Sequence, residues 1–190
     1  LITSDKMIES AGNAQEFIDR IKIMSAKAAE HDLGLLLERK MQDDPSARRV
    51  QDWEKGYYGE LVKTDMFDFS SQEARPYFDF NAVQQGLFDL TSAMFGVRYE
   101  QVFGLDLWDD SVTAWNLYDG DELIGRFYLD LHPRDDKYGH AACFGYREGV
   151  AGSRVPQATL VCNFPNPADD PEGAALMEHG EVTTFFHEFG

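Results

Sequence analysis

His187 and Glu188 stand side by side in the run Thr183-Thr184-Phe185-Phe186-His187-Glu188-Phe189-Gly190. A histidine at the position after Gly190 would complete a His-Glu-x-x-His pattern. On a helix, that spacing puts two imidazoles on one face, one turn apart, with a carboxylate beside the metal they hold. Two such ligands and an adjacent base can activate water for hydrolysis of an amide. The sequence ends at Gly190, so the first histidine and the glutamate are present and the second histidine is not. On the dipeptide alone, the simpler reading is a polar pair on a surface helix, because a chain with five histidines and 34 acidic residues produces such a pair by chance.

A chain of 190 residues can form one domain with a real core, or one large piece of a bigger domain. Its hydrophobic content of 43% and charged content of 27% are ordinary for a globular protein. The net charge of −17 is not ordinary. It argues against a nucleic-acid partner, since phosphate binding depends on clustered Lys and Arg, and the one compact basic cluster is Arg48-Arg49. A well-solvated cytoplasmic surface accounts for the acidity. No run of about 18 apolar residues exists, so no membrane span is expected, and the N-terminus lacks the pattern of a signal peptide. Leu1 in place of Met fits a chain that begins inside a longer protein. Cys143 and Cys162 each sit in an apolar, strand-like run outside any C-x-x-C pattern. Both are expected to be unpaired, reduced and buried in a sheet.

The elements that must position His187 and Glu188 follow from periodicity. Asn13, with Glu16 three residues on, reads as a helix start. Phe17, Ile21, Met24 and Ala28 then recur at helical spacing, and the helix is expected to run to about residue 41 across Gly34. Gln42-Asp43-Asp44-Pro45-Ser46 is a polar connector with a breaker. A second helix is expected at 52–63, with Trp53, Tyr57 and Leu61 in one stripe. Ser70 and Glu73 suggest a further start that Pro76 cuts to one turn. A third long helix is expected at 81–95, with Val83, Leu87, Leu90 and Met94 on its buried face and Gly96 as terminator. The aromatic residues Trp53, Tyr57, Tyr58 and Phe88 are assigned to core rather than to a pocket. The period then changes to two: Thr113, Trp115 and Leu117 alternate, Asp119-Gly120 supplies a turn, and Leu123, Gly125, Phe127, Leu129 and Leu131 alternate again. Shorter strands are expected at 141–144 and 158–164, residues 165–171 cannot be regular structure, and a last helix starts near Gly180 with Glu181 in its first turn. The class is α+β, helix-dominated, with a small, mostly antiparallel sheet. The chain divides into a mainly helical part at 1–104, a small sheet at 105–165, and a loop with the last helix at 166–190.

Five segments carry a resemblance to a known family. They are Arg75-Pro76-Tyr77-Phe78, the run from Gly125 through His132-Pro133-Arg134, Lys137-Tyr138-Gly139-His140-Ala141-Ala142-Cys143-Phe144-Gly145, Leu160-Val161-Cys162-Asn163-Phe164, and the end from Gly180 to Gly190. In order, and over nearly the whole chain, they resemble the thimet oligopeptidase family of zinc metallopeptidases, which includes neurolysin, oligopeptidase A and dipeptidyl carboxypeptidase. The final segment is similar to that family's His-Glu-Phe-Gly-His motif. The chain departs from the pattern at His132, where Tyr is expected, and at Glu178-His179-Gly180, where His-Asp-Glu is usual.

The resemblance implies peptide-bond hydrolysis in short oligopeptides. Zinc held by two His and one Glu polarises the bound water and the scissile carbonyl. His187 would be one ligand, and Glu188 the base that takes a proton from the water and passes it to the leaving amine. The family's remaining ligands and transition-state donors have no counterpart in this sequence, so the 190-residue piece alone is expected to be inert and, with helices missing from around it, to self-associate. In such proteases an extended peptide pairs with a sheet edge. The run 139–143 resembles that edge, which implies that His140, Ala141 and Ala142 bind substrate; the other reading of His140 is a surface loop histidine. Endopeptidase and dipeptidyl carboxypeptidase modes both fit the residues present. A reading of a different class is a non-catalytic acidic helical module that binds partners and has lost its active site.

Overall fold

A computed structural model describes residues 7–169 and 175–190. The chain forms two units, divided after Ser70. In the first, α1 (Ala11–Asp43) is one long helix. Ser10, not Asn13, is its N-cap: the Ser10 hydroxyl accepts the Asn13 N–H at 3.1 Å. No residue of α1 is buried, so the recurrence of Phe17, Ile21 and Met24 marks no core face within this unit. A 3-10 turn (Asp52–Glu54) leads into α2 (Lys55–Phe67), and Lys40 Nζ joins α1 to that turn through Glu54 at 2.6 Å. Tyr58 is buried as expected. Trp53 and Tyr57, also assigned to core, are exposed at 80% and 62%. Two helices offer each other one contact stripe, so an aromatic residue off that stripe stays largely exposed. Among the ring contacts of the described residues, Tyr57 meets only the Tyr58 ring, in a T-shaped contact at 5.1 Å.

The second unit holds the sheet. A single turn, α3 (Ser71–Ala74), passes into a 3-10 turn at Arg75–Tyr77 that contains Pro76. The helix α4 (Phe80–Phe95) begins at Asp79, whose carboxylate accepts the Ala82 N–H at 3.0 Å. It ends at Gly96, whose φ of 70° is the left-handed geometry a glycine stop supplies. Its buried residues are Phe80, Leu87 and Phe88. Leu90 and Met94, expected on the buried face, are 47% and 63% exposed. Apolar side chains occur around much of this helix, so spacing alone did not rank its faces.

Strand β1 (Val97–Val102) follows at once, inside the part expected to be mainly helical. It pairs with β2 (Thr113–Asp119), which turns through Gly120 and Asp121 into β3 (Glu122–Asp130). β4 (Ala142–Arg147) and β5 (Gln157–Val161) complete a five-stranded sheet in the order β1-β2-β3-β5-β4. Every pairing is antiparallel except β3 with β5, which is parallel. Within the stretch expected to be irregular, Pro167–Asp169 forms a 3-10 turn, while residues 170 and 171 lie outside the described set. The last helix, α5, spans His179–Phe189. The fold of the described residues is thus α+β and helix-dominated. α4 and α5 cover one sheet face, around a core of Leu129, Leu131, Leu160, Cys162, Phe164 and Phe185 together with α4.

Candidate active site

The approach to α5 is fastened to the start of α4. Met177 N–H donates to the Phe78 carbonyl at 2.8 Å, Phe80 N–H donates to Ala175 O at 3.0 Å, and Arg75 Nη2 reaches Leu176 O at 3.1 Å. A capping box then opens the helix: the Glu181 carboxylate accepts the Glu178 N–H at 2.7 Å. Phe185 is fully buried, 5.2 Å from the Phe164 ring. Phe189 enters an aromatic cluster with Phe88, Tyr99 and Phe127 at centroid distances of 5.7–5.9 Å. Val182 and Phe189 are half-buried, and Phe186 is exposed.

Successive helical residues point about 100° apart. With Phe185 and Phe189 facing the sheet, His187 is left exposed and Glu188 lies at the boundary, half-buried. Glu188, Phe189 and Gly190 line a cavity of about 280 Å³ with Cys143 of β4 and Leu160 of β5. Cys143 is exposed, which corrects the expectation that both thiols are buried; Cys162 is buried, and both are free thiols. The reason is topological. β4 is the edge strand, and its residues pack against β5 on one side only. Burial, and after it the Glu188 charge, raises the Cys143 thiol pKa; the same two causes lead in pushing Cys162 up to about 12.

The predicted substrate-binding residues lead into that edge. Ala142 is the first residue of β4, opposite Val161. Ala141 packs against the core, and the exposed His140 ring sits 5.6 Å from Tyr138. Among the described residues β4 has no strand on its far side, and α5 packs beside it. The structure therefore brings Glu188 to the edge strand through the shared cavity, while His187 and His140 both face outward.

Residues 2–190 match the model of peptidase family M3. The chain belongs to that family. This M3 chain is 35% identical to oligopeptidase A of Haemophilus influenzae over 195 residues, an alignment that takes in all of the chain and 28% of that protein. It is 29% identical to saccharolysin of Saccharomyces cerevisiae and 27% identical to dipeptidyl carboxypeptidase of Escherichia coli, each over 98% of the chain and 28% of the relative. The chain thus spans little more than a quarter of the length of these curated relatives.

Among the described residues, no group of three or more His, Cys, Asp or Glu is placed to hold a metal ion. His187 offers one imidazole, which does not fit a three-ligand zinc site without donors from elsewhere. No helix of the M3 chain, among the described residues, is long and apolar enough to cross a membrane.

One cluster near this edge was not anticipated. Asp130, at the end of β3, is almost fully buried and accepts from Arg134 (2.7 and 2.9 Å), from Trp108 Nε1 (2.9 Å) and from Lys137 (2.8 Å). Burial would raise its pKa, but the hydrogen bonds from Arg134, Lys137 and Trp108 outweigh that and bring it to about 2. The sequence signal was there: Asp130, Arg134 and Lys137 close an apolar strand with charges of both signs, and a buried charge needs its partner close by. Next to them, His132 is 8% exposed, 4.8 Å from the Phe80 ring, with Nδ1 3.2 Å from the Phe164 carbonyl oxygen. The carbonyl can only accept, so Nδ1 carries the proton.

Proposed function

We infer that this chain is part of a zinc-dependent oligopeptidase that hydrolyses peptide bonds in short peptides, with Glu188 as general base and His187 as a metal ligand. The observation that carries the reading is Glu188 on α5, beside the free edge of β4, in a chain matched to peptidase family M3 over residues 2–190. Zinc, when bound, would supply Lewis acidity at the scissile carbonyl and at the attacking water. Glu188 accepts a proton from that water and returns it to the leaving amine. His187, exposed on the outer side of α5, would hold the metal through a ring nitrogen. The backbone of Ala141 and Ala142 pairs with an extended peptide, and His140 flanks it. Short peptides suit this geometry because pairing with an edge needs an unfolded segment. The acidic surface and the two free thiols suit the cytoplasm, with neither nucleic acid nor membrane as partner. The 190-residue chain alone is inactive on this reading, because a single imidazole does not hold zinc.

The test is made in the full-length protein. Glu188→Gln keeps the size and hydrogen bonding of the side chain and removes the base, so zinc content should stay at the parental level while turnover falls by about a hundredfold or more. His187→Ala should lose zinc as well as activity. Zinc per mole is read beside hydrolysis of a quenched peptide. A Glu188→Gln enzyme that cleaves near the parental rate sinks the mechanism, and a His187→Ala protein with a full equivalent of zinc removes His187 from the ligand set.

A further inference from the structure

Four acceptors converge on the ammonium of Lys137. Its Nζ lies 2.8 Å from Asp130 Oδ1, and 3.0, 2.5 and 2.6 Å from the carbonyl oxygens of Asp130, His132 and Cys162. An ammonium has three protons, so its capacity is used up. The Lys137 side chain is 3% exposed and that of Asp130 5%. β3 and β5 run parallel, so their C-terminal ends lie at the same end of the sheet. Asp130 ends one strand, and Cys162 directly follows the other. Lys137 therefore ties two strand ends together from a third segment, the connection that leads to β4. Two further contacts hold that connection: the bidentate grip of Arg134 on Asp130, and a bond from Asn163 Nδ2 to the Tyr138 carbonyl at 3.1 Å. The residues that follow Lys137 are Tyr138-Gly139-His140-Ala141-Ala142, the approach to the edge beside Glu188.

A buried ion pair is a poor source of net stability, because desolvating both charges takes back most of their attraction. What such a pair does well is fix a register. We propose that Lys137, clamped by Asp130, is a positioning residue that holds residues 138–142 at the height along β5 where an extended peptide can pair with β4 next to Glu188. This rests on the oligopeptidase reading above. Lys137 touches no substrate, and its effect passes through the backbone.

The experiment compares the full-length protein with Lys137→Met and with the double variant Asp130→Asn/Lys137→Met, which leaves no charge buried alone. Hydrogen exchange at residues 138–143 should be about tenfold faster in either variant, while α4, β1 and β2 keep parental rates. On a quenched peptide, KM should rise about tenfold with kcat within about twofold, the pattern of lost uniform binding. N-methylation of successive backbone amides of the peptide, which should weaken binding to the parent, should cost much less in the variants. Unchanged exchange at 138–143, or a parental KM with an undiminished N-methyl penalty, overturns the proposal. So does uniform acceleration of exchange, or failure of both variants to fold, because either assigns the pair to overall stability. A parental protein that cleaves no peptide counts against the oligopeptidase reading instead, and the exchange measurement, which needs no substrate, still decides whether the clamp orders this segment.

Discussion

Asp130 and His132, two residues apart, answer to acid in different ranges. Burial, the largest influence on His132, lowers its pKa from the usual 6.5, so folding favours the neutral ring. Below about pH 6.5 the unfolded chain takes up the proton first, and stability falls as pH falls. Asp130, held at about 2 against an ordinary 3.8, contributes stability that is complete above about pH 5 and is lost toward pH 2. That difference corresponds to about 2 kcal/mol. Urea midpoints across pH 3–8 should show both limbs. His132→Asn, which keeps a donor near the Nδ1 position, should lack the first; Asp130→Asn/Lys137→Met should lack the second. If the acid limbs of parent and double variant coincide, Asp130 is not their source. The thiols give a second check at this scale. Alkylation at pH 8 should label Cys143 slowly and Cys162 only on unfolding, and Glu188→Gln should speed Cys143, since the Glu188 charge helps hold that thiol protonated. A Cys143 rate indifferent to that change would separate the two groups that line one cavity.

At the scale of elements, α5 was legible because its local signals agree. Glu181 in the first turn and large apolar residues at helical spacing both announce a helix with one buried face. What the spacing did not give was the order among Val182, Phe185, Phe186 and Phe189. Phe185 lies over Phe164 and is fully buried, whereas Phe186, one step round, is 38% exposed. Phe185→Ala should therefore cost about 3–5 kcal/mol and Phe186→Ala within about 1 kcal/mol, read from chemical denaturation. Equal losses would mean that the helix is rotated from the orientation described. The same limit explains Leu90 and Met94: apolar residues on several sides of α4 satisfy more than one stripe, and only the docked sheet selects Phe80, Leu87 and Phe88. β1 was missed because Val97-Arg98-Tyr99-Glu100-Gln101-Val102 is short and half charged or polar, so its strand character comes from pairing with β2.

At the scale of the whole molecule, the family and the fold class were legible, and the pairing order of the sheet was not, since nothing in the runs around 142 and 157 says that the later strand lies inside the earlier one. The charge and the apolar surface of the 190-residue chain pull in opposite directions. A net charge of −17 keeps copies apart, while exposed side chains such as Ile23, Met24, Trp53 and Phe103 offer contact. The isolated chain should self-associate more as salt screens the repulsion, which sedimentation at two ionic strengths would reveal; a monomer unmoved by salt would count against it. The strand order β3-β5-β4 also has a consequence for how the protein is made. On the ribosome β4 emerges before β5, yet its place in the sheet exists only once β5 has docked on β3. The nascent chain must therefore carry residues 142–147 without their strand partner until 157–161 have been synthesised. Any slow codons or chaperone contact in that interval would act on the strand that ends at the edge of the sheet beside Glu188.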